Sequence, residues 1–228
     1  MELTELLPTL HLLRFGVGQA YLWRDGDALT LIDTGEPGSG PDLLAAVESL
    51  GHAPGDLRTV IVTHGHDDHW GALSELGTDA TVMAHAADAP VLRGERGQQL
   101  PDPADLPGWE RELFESLPPM SAPKPVRVDR ELTGGEVLGF GGGAHVIAIP
   151  GHTDGSIALH LPEHGVLFAG DTVANPGGHT MLGVFNADRE AAARSFRRLA
   201  ELDVSLVCVG HGDPLTGDAS ARLRAAEV

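Results

Sequence analysis

Hydrophobic residues in this chain come in short runs closed by glycine, proline or aspartate, and helical periodicity is confined to a few stretches. Residues 10–15 and 20–23 read as two strands joined by the turn Gly16-Val17-Gly18. Asp25-Gly26-Asp27 is a hairpin signal, and 28–32 is the next strand. Pro41 suits a first helical turn; Leu43, Leu44, Val47 and Leu50 then keep helical spacing until Gly51 stops the helix. A β-branched strand follows at 59–62. Trp70-Gly71-Ala72-Leu73 reads as the start of a short helix, and 80–84 as a further strand. Short strands resume at 126–128, 136–138, 144–149, 156–161, 165–168 and 204–209. A helix is predicted over about 188–202, where Ala192, Phe196, Leu199 and Ala200 share one face, and another over about 218–226.

Over 93–125 the texture changes to Gly, Pro, Gln and charge, with one amphipathic patch at 109–117. This predicts a partly helical insertion within a single domain spanning 1–228, placed to lie over a site as a lid. Trp109, Leu113, Phe114 and Met120 are its apolar residues best suited to line a pocket. The rest of the chain has two halves of similar rhythm, strands first and helix later. That pattern predicts two sheets packed face to face with helices outside. Buried strands repeatedly end at a polar residue beside glycine: at Asp33, His64, His152, Asp171 and His211. Glycine lets the backbone turn sharply and come close to a bound ion, so these ends are expected to converge on one rim.

Composition narrows the partners. Of 228 residues, 42% are hydrophobic but only 4% aromatic, so the core must be built from Leu, Val, Ile and Ala. Fifteen Lys and Arg against 33 Asp and Glu leave a formal charge of −18, a surface that repels phosphate backbones and anionic membranes. The expected partner is a small-molecule substrate, with no nucleic acid and no membrane; oligomeric state is not readable. No run approaches the roughly 18–20 apolar residues needed to span a bilayer. The acidic start Met1-Glu2-Leu3-Thr4-Glu5 lacks the positive region of a signal peptide, so a cytoplasmic location is expected. Cys208, the single cysteine, sits in an apolar run and reads as a small buried hydrophobe.

The chemistry concentrates in Thr63-His64-Gly65-His66-Asp67-Asp68-His69. On extended backbone His64 and His66 project to the same side, while Asp68 and His69 sit where the chain turns into a helix. One loop can therefore feed two adjacent metal positions. Imidazole nitrogen and carboxylate oxygen are ligands that zinc accepts at roughly 2.0–2.2 Å.

Leu31-Ile32-Asp33-Thr34-Gly35, the histidine loop, Pro150-Gly151-His152-Thr153, Gly170-Asp171 and Gly210-His211-Gly212 together resemble the metallo-β-lactamase fold superfamily of hydrolases. The likeness is to the dinuclear-metal, glyoxalase II- and lactonase-like subgroup. True β-lactamases of this fold carry Cys or Ser where Asp171 stands. The resemblance implies an α+β, four-layer αββα sandwich of two mixed β-sheets. It implies that His64, His66 and His152 hold one metal, that Asp68, His69 and His211 hold the second, and that Asp171 bridges both. Asp33 is implied to orient the histidine loop rather than to bind metal.

Two divalent cations about 3.5–4 Å apart can share a water, lower its pKa and polarise a substrate oxygen. The expected enzyme is a metal-dependent hydrolase that uses a metal-bridging hydroxide, with Asp68 and Asp171 as its catalytic carboxylates, on a small ester, lactone or thioester. Zinc is the default metal, with Fe, Mn or Ni as other loadings. A phosphodiesterase on the same site is the alternative, and an iron-dependent redox protein a further one. His85, at a strand end, and His179, in the glycine-rich loop after Asp171, are candidate substrate contacts beside Trp109 and Phe114. His11, His52, His145, His160 and His164 read as structural or solvent-facing.

Overall fold

The computed structural model describes residues 1–118 and 121–228. One sheet holds β1 (Glu2–Leu7), β2 (Leu10–Arg14), β3 (Gln19–Asp25), β4 (Ala28–Ile32), β5 (Leu57–Ile61), β6 (Thr81–His85) and β7 (Arg130–Leu132), in that spatial order. β1 to β4 form an antiparallel meander, and β4 to β7 are parallel. The parallel pairs need crossovers. These carry α1 (Gly40–Ser49), α2 (Asp67–Trp70), α3 (Ala89–Leu92) and α4 (Gly108–Ser116). The second half of the chain supplies β8 (Val137–Leu138), β9 (Ala144–Ala148), β10 (Ile157–Leu161), β11 (Val166–Phe168), a small ribbon of β12 (Val173–Ala174) and β13 (Met181–Leu182), then α5 (Arg189–Ala200), β14 (Leu206–Cys208), β15 (Leu215–Thr216) and α6 (Ala219–Ala225). The second sheet has the order β15-β14-β11-β10-β9-β8.

Both sheets are mixed, and strand alternation decides how they stack. Side chains two apart on a strand share a face, and here both faces are apolar. Leu10, Leu12, Tyr21, Trp23, Ile32 and Ile61 face one core, which Ile157, Leu159, Leu161, Val166, Phe168, Leu206 and Cys208 complete from the other sheet. The alternate residues Leu13, Ala20, Leu22, Leu29, Leu31, Val60 and Val62 meet Leu43 and Val47 of α1 in a second core. Ala158, Leu167 and Val207 meet Phe196 and Leu199 of α5 and Leu223 of α6 in a third. The result is the expected αββα sandwich. Tyr21 packs edge-on against Phe168 at 5.5 Å across the central core.

Strand direction then places the chemistry. β9, β11 and β14 point the same way, because β9 and β11 are each antiparallel to β10 and β14 is parallel to β11. Their exits deliver His152, Asp171 and His211, while β4 and β5 deliver Asp33 and His64.

The sequence reading differs from the structure in several elements: α3, β12, β13 and β15 were not expected, and three further differences have a visible cause. β1 was not expected; it is an edge strand with half-exposed, partly acidic residues, which blunts both the apolar signal and the edge itself. The strand expected at 126–128 does not form. Val126 and Val128 pack into the outer core, and the Val126 and Asp129 amides bond Leu92 O and Val82 O, but the ladder starts only at Arg130. The helix expected from Trp70 instead occupies Asp67–Trp70 and stops there. The His69 carbonyl accepts both the Thr34 amide at 2.6 Å and the Thr34 hydroxyl at 3.3 Å, so both of its lone pairs are used before a helical bond from Leu73, and only a 3-10 turn follows.

Leu159→Ala removes a fully buried side chain between the sheets. It should cost about 3 kcal/mol of unfolding free energy. Leu117→Ala, at a site 47% exposed, should cost under about 0.5 kcal/mol. Urea denaturation of the two variants checks the difference.

Candidate metal centre

Asp33 begins the site. It leaves β4 with a left-handed backbone, φ 59°, a conformation that is uncommon outside glycine but that aspartate tolerates. That bend turns a nearly fully buried carboxylate onto the histidine loop. Its Oδ1 accepts the Thr63 amide at 2.7 Å; its Oδ2 accepts the Thr63 hydroxyl at 2.7 Å and lies 2.8 Å from His69 Nδ1.

These contacts set the tautomers. The Thr63 hydroxyl proton is spent on Asp33, so its oxygen, 3.1 Å from His64 Nδ1, accepts from that nitrogen. His64 Nε2 is left with its lone pair, buried and with no partner. His69 donates Nδ1–H to Asp33, and its Nε2 is likewise buried without a partner. His66 donates Nε2–H to the Gln99 carbonyl at 2.7 Å, which leaves Nδ1 as the free nitrogen. That nitrogen faces His152 Nε2 at 2.8 Å. Two ring nitrogens at that separation need a proton or a cation beside them. The remaining ring nitrogen of each of these three loop histidines has a fixed partner, the arrangement that fixes ring angle and tautomer in metal sites.

Three groups of side chains bring ligand atoms within 4.8 Å of one another: His64, His66 and His152; His64, His69 and Asp171; and Asp68, His69 and His211. Asp171 lies between the outer two. Its Oδ1 is 3.2 Å from His69 Nε2, and its Oδ2 is 3.2 Å from His211, 3.5 Å from His152 and 4.0 Å from His64. Asp68 Oδ2 is 3.1 Å from His211 and 3.7 Å from His69. Gly210 fits this crowding, because a Cβ there would overlap Asp171 Oδ1.

Protonation divides the groups. Burial first, and the neighbouring rings next, hold His64 well below the usual imidazole range and push His152 down to about 3. Burial thus favours the neutral ring at both positions. Burial opposes charge on the other side too, but there the ionic partners win. Asp171, Asp68 and Asp33 hold His69 well above its ordinary value, and Asp171 and Asp68 raise His211 to about 10. His69 and His211 in turn hold Asp68 and Asp171 well below the carboxylate range despite burial. Two carboxylates that stay ionised in a buried pocket draw positive charge to one place. Together with the orphaned nitrogens and Asp171 Oδ1, which is buried without a bond, this donor set fits hard or borderline divalent cations.

All seven residues expected as ligands therefore meet, and Asp33 stands where the resemblance placed it. The candidate substrate contacts are more scattered. His85 ends β6, and its Nδ1 accepts the Ala87 amide at 3.1 Å. His179 is exposed on its turn. Trp109 is 52% exposed on α4, and Phe114 packs edge-on against Phe185 at 5.3 Å. Met120 lies outside the described residues.

Several participants were not found in the sequence. Asp88 is buried and accepts the Gly65 amide and the Thr153 hydroxyl, each at 2.7 Å. Gln98 bonds Asp67, and Gln99 bonds both His66 and the Asp154 amide. Tyr21 donates its hydroxyl to Val209 O at 2.7 Å, fixing the strand end that carries His211. Asp88 lies between the strand expected at 80–84 and the insertion, and the glutamines lie within the insertion, so no local signal marks them.

A family model described as "Metallo-beta-lactamase superfamily" matches residues 13–211, and the chain belongs to that superfamily. It is 31% identical over 205 residues to "Probable metallo-hydrolase YflN" of Bacillus subtilis, an alignment covering 83% of this chain and 77% of that one. It is 31% identical over 179 residues to the hydroxyacylglutathione hydrolase of Cereibacter sphaeroides, covering 77% of this chain and 54% of the relative. In three dimensions it resembles a metallo-beta-lactamase family protein from Thermus thermophilus, with a TM-score of 0.69, 26% identity, and coverage of 96% and 78%.

Asp33→Asn puts an amide donor against either the Thr63 amide or the Thr63 hydroxyl and His69 Nδ1 together. Metal affinity should fall about 10- to 100-fold with the sheet core intact. Chelator competition alongside far-UV circular dichroism reads both, and wild-type affinity would remove Asp33 from the role assigned to it.

Proposed function

We propose that this protein is a dinuclear metal-dependent hydrolase acting on a small ester, lactone or thioester. The observation that carries the reading is Asp171, a single carboxylate within reach of both the three-histidine group and the Asp68, His69, His211 group. Bound there, two divalent cations, zinc by preference for this nitrogen and oxygen set, supply a water of lowered pKa and a Lewis acid for a carbonyl. The chain's own part is to keep His64, His66 and His69 in ligating tautomers and Asp68 and Asp171 ionised. His211, whose ring is 39% exposed, gives the centre a side open to solvent. Similarity to a hydroxyacylglutathione hydrolase supports thioesters within the carbonyl class.

The arginines argue for carbonyl over phosphoryl substrates. A phosphodiester recruits Arg or Lys beside the metals. Arg14 approaches the His211 loop but is committed to Asp213 and the Gly212 carbonyl. Arg96 bonds the Ala87 carbonyl and sits 3.8 Å from Asp88. Arg93 is taken by Glu95 and Glu131, and Arg111 by the carbonyls of Pro103, Ala104 and Leu106. Arg222 bonds Asn175, Gly178 and Thr180. A neutral ester, lactone or thioester needs none of them.

The insertion adds an apolar wall. Among the described residues, Leu100, Trp109, Leu113 and Leu117 are large hydrophobics left exposed, and the last three recur at helical spacing along α4 and its end. Buried Glu110 ties α4 to the Phe185 amide and to Arg189. Two residues after Phe185, the Ala187 amide bonds the His152 carbonyl. We read this wall as the contact for the acyl part of the substrate.

Elemental analysis should find about two metals per chain. In a panel of p-nitrophenyl esters, lactones, thioesters and bis-p-nitrophenyl phosphate, the best carbonyl substrate should exceed the phosphodiester in kcat/KM by about a hundredfold or more, roughly 2.7 kcal/mol. A phosphodiester that matches every carbonyl substrate would reverse the assignment. Trp109→Ala and Phe114→Ala should shift relative rates across an acyl chain-length series while metal content stays constant; a flat series would show that the wall does not touch the acyl group.

A further inference from the structure

Asp88 occupies the N-cap position of α3, where an aspartate ordinarily accepts a bond from the helix's own amides. It makes no such bond. Its side chain is turned inward and is 2% exposed. Oδ2 takes two donors from two different loops: the amide of Gly65, between His64 and His66, and the hydroxyl of Thr153, next to His152. Both loops close around it. A Cβ at Gly155 would overlap the Asp88 carboxyl carbon, and one at Gly65 would stand 3.3 Å from it. Oδ1 is buried without a hydrogen bond, with the Arg96 guanidinium 3.8 Å away. A buried carboxylate costs several kcal/mol unless its bonds are good, so helix capping that is not used cannot account for its position.

We propose that Asp88 is the positioning residue of the three-histidine group: it holds the His64-Gly65-His66 turn and the His152 turn at the spacing one cation requires. The inference rests on the reading of that group as a metal site. It assigns a division of labour between two buried carboxylates, Asp33 orienting His69 through a direct bond and Asp88 setting the gap between His66 and His152. The Ile157 amide on Thr63 O and Gln99 on His66 and Asp154 are the other ties between these loops. Of these side chains, Asp88 alone bonds both loops from the interior.

The test is a titration of chelator-treated protein with Zn2+ in competition with a chromophoric chelator, with far-UV circular dichroism and melting of each metal-free variant as controls. Thr153→Val removes one hydroxyl and leaves Asp88 and Gly65 in place; Asp88→Ala removes the oxygen that accepts both bonds. His152→Ala and His211→Ala identify which equivalent belongs to which group. Both Thr153→Val and Asp88→Ala should weaken the equivalent missing in His152→Ala by about tenfold or more, and leave the equivalent missing in His211→Ala within about twofold. If Asp88→Ala does not fold, Thr153→Val alone decides. Wild-type affinity for both equivalents, equal weakening of both, or weakening of the His211 equivalent alone would overturn the proposal. A wild-type protein that takes up a single equivalent would sink the dinuclear reading. The Asp88 proposal would then stand only if that equivalent is lost in His152→Ala and weakened in Thr153→Val, and would fall otherwise.

Discussion

Concentrating five imidazoles and two carboxylates in one buried pocket is the constraint under which the rest of this structure operates. Unpaired charge away from water costs several kcal/mol per ion, and a buried imidazole nitrogen without a partner costs about 1–3 kcal/mol. The protein meets that cost in two ways. Each loop histidine spends one ring nitrogen on a fixed acceptor, Thr63, Gln99 or Asp33. The other nitrogens, with Asp68 and Asp171, point at a common space and favour positive charge there. The tautomers, the left-handed Asp33 and the side-chain-free Gly210 are consequences of that packing rather than separate features.

The sandwich makes such a pocket attainable. Because most strands are apolar on both faces, each sheet is covered on both sides, and the polar side chains that meet in the site sit at strand ends. In open α/β sheets ligands gather at the carboxyl ends of strands for the same reason. Here the exits of β4, β5, β9, β11 and β14 carry the site, so two sheets contribute to one centre, and Tyr21 on the first sheet fixes the end of β14 on the second.

The insertion is bonded to the site from several points. Gln98 and Gln99 bond the metal-site loops directly, Arg96 approaches Asp88, and Glu110 ties α4 to the segment that supports His152. The arginines around the centre are spent on carbonyl, carboxylate and hydroxyl oxygens of the protein itself, in a chain of net charge −18.

Much of the fold was readable from the chain because strand alternation and helix spacing are local. The runs around Leu12, Leu31, Val60 and Leu159, and the amphipathic face of Ala192, Phe196 and Leu199, announce their own burial. The seven candidate ligands were also marked, since histidine and aspartate beside glycine at strand ends are chemically conspicuous. What the chain by itself did not disclose depends on pairing between distant segments. β1 carries its signal only as an edge partner, the 126–128 segment lost its ladder to packing against Leu92 and Val82, and α2 ended because Thr34 took the His69 carbonyl. Asp88, Gln99 and Glu110 belong to the same class. Each carries no local signal until folding brings it against a partner between 23 and 79 residues away, and only the tertiary structure makes those encounters.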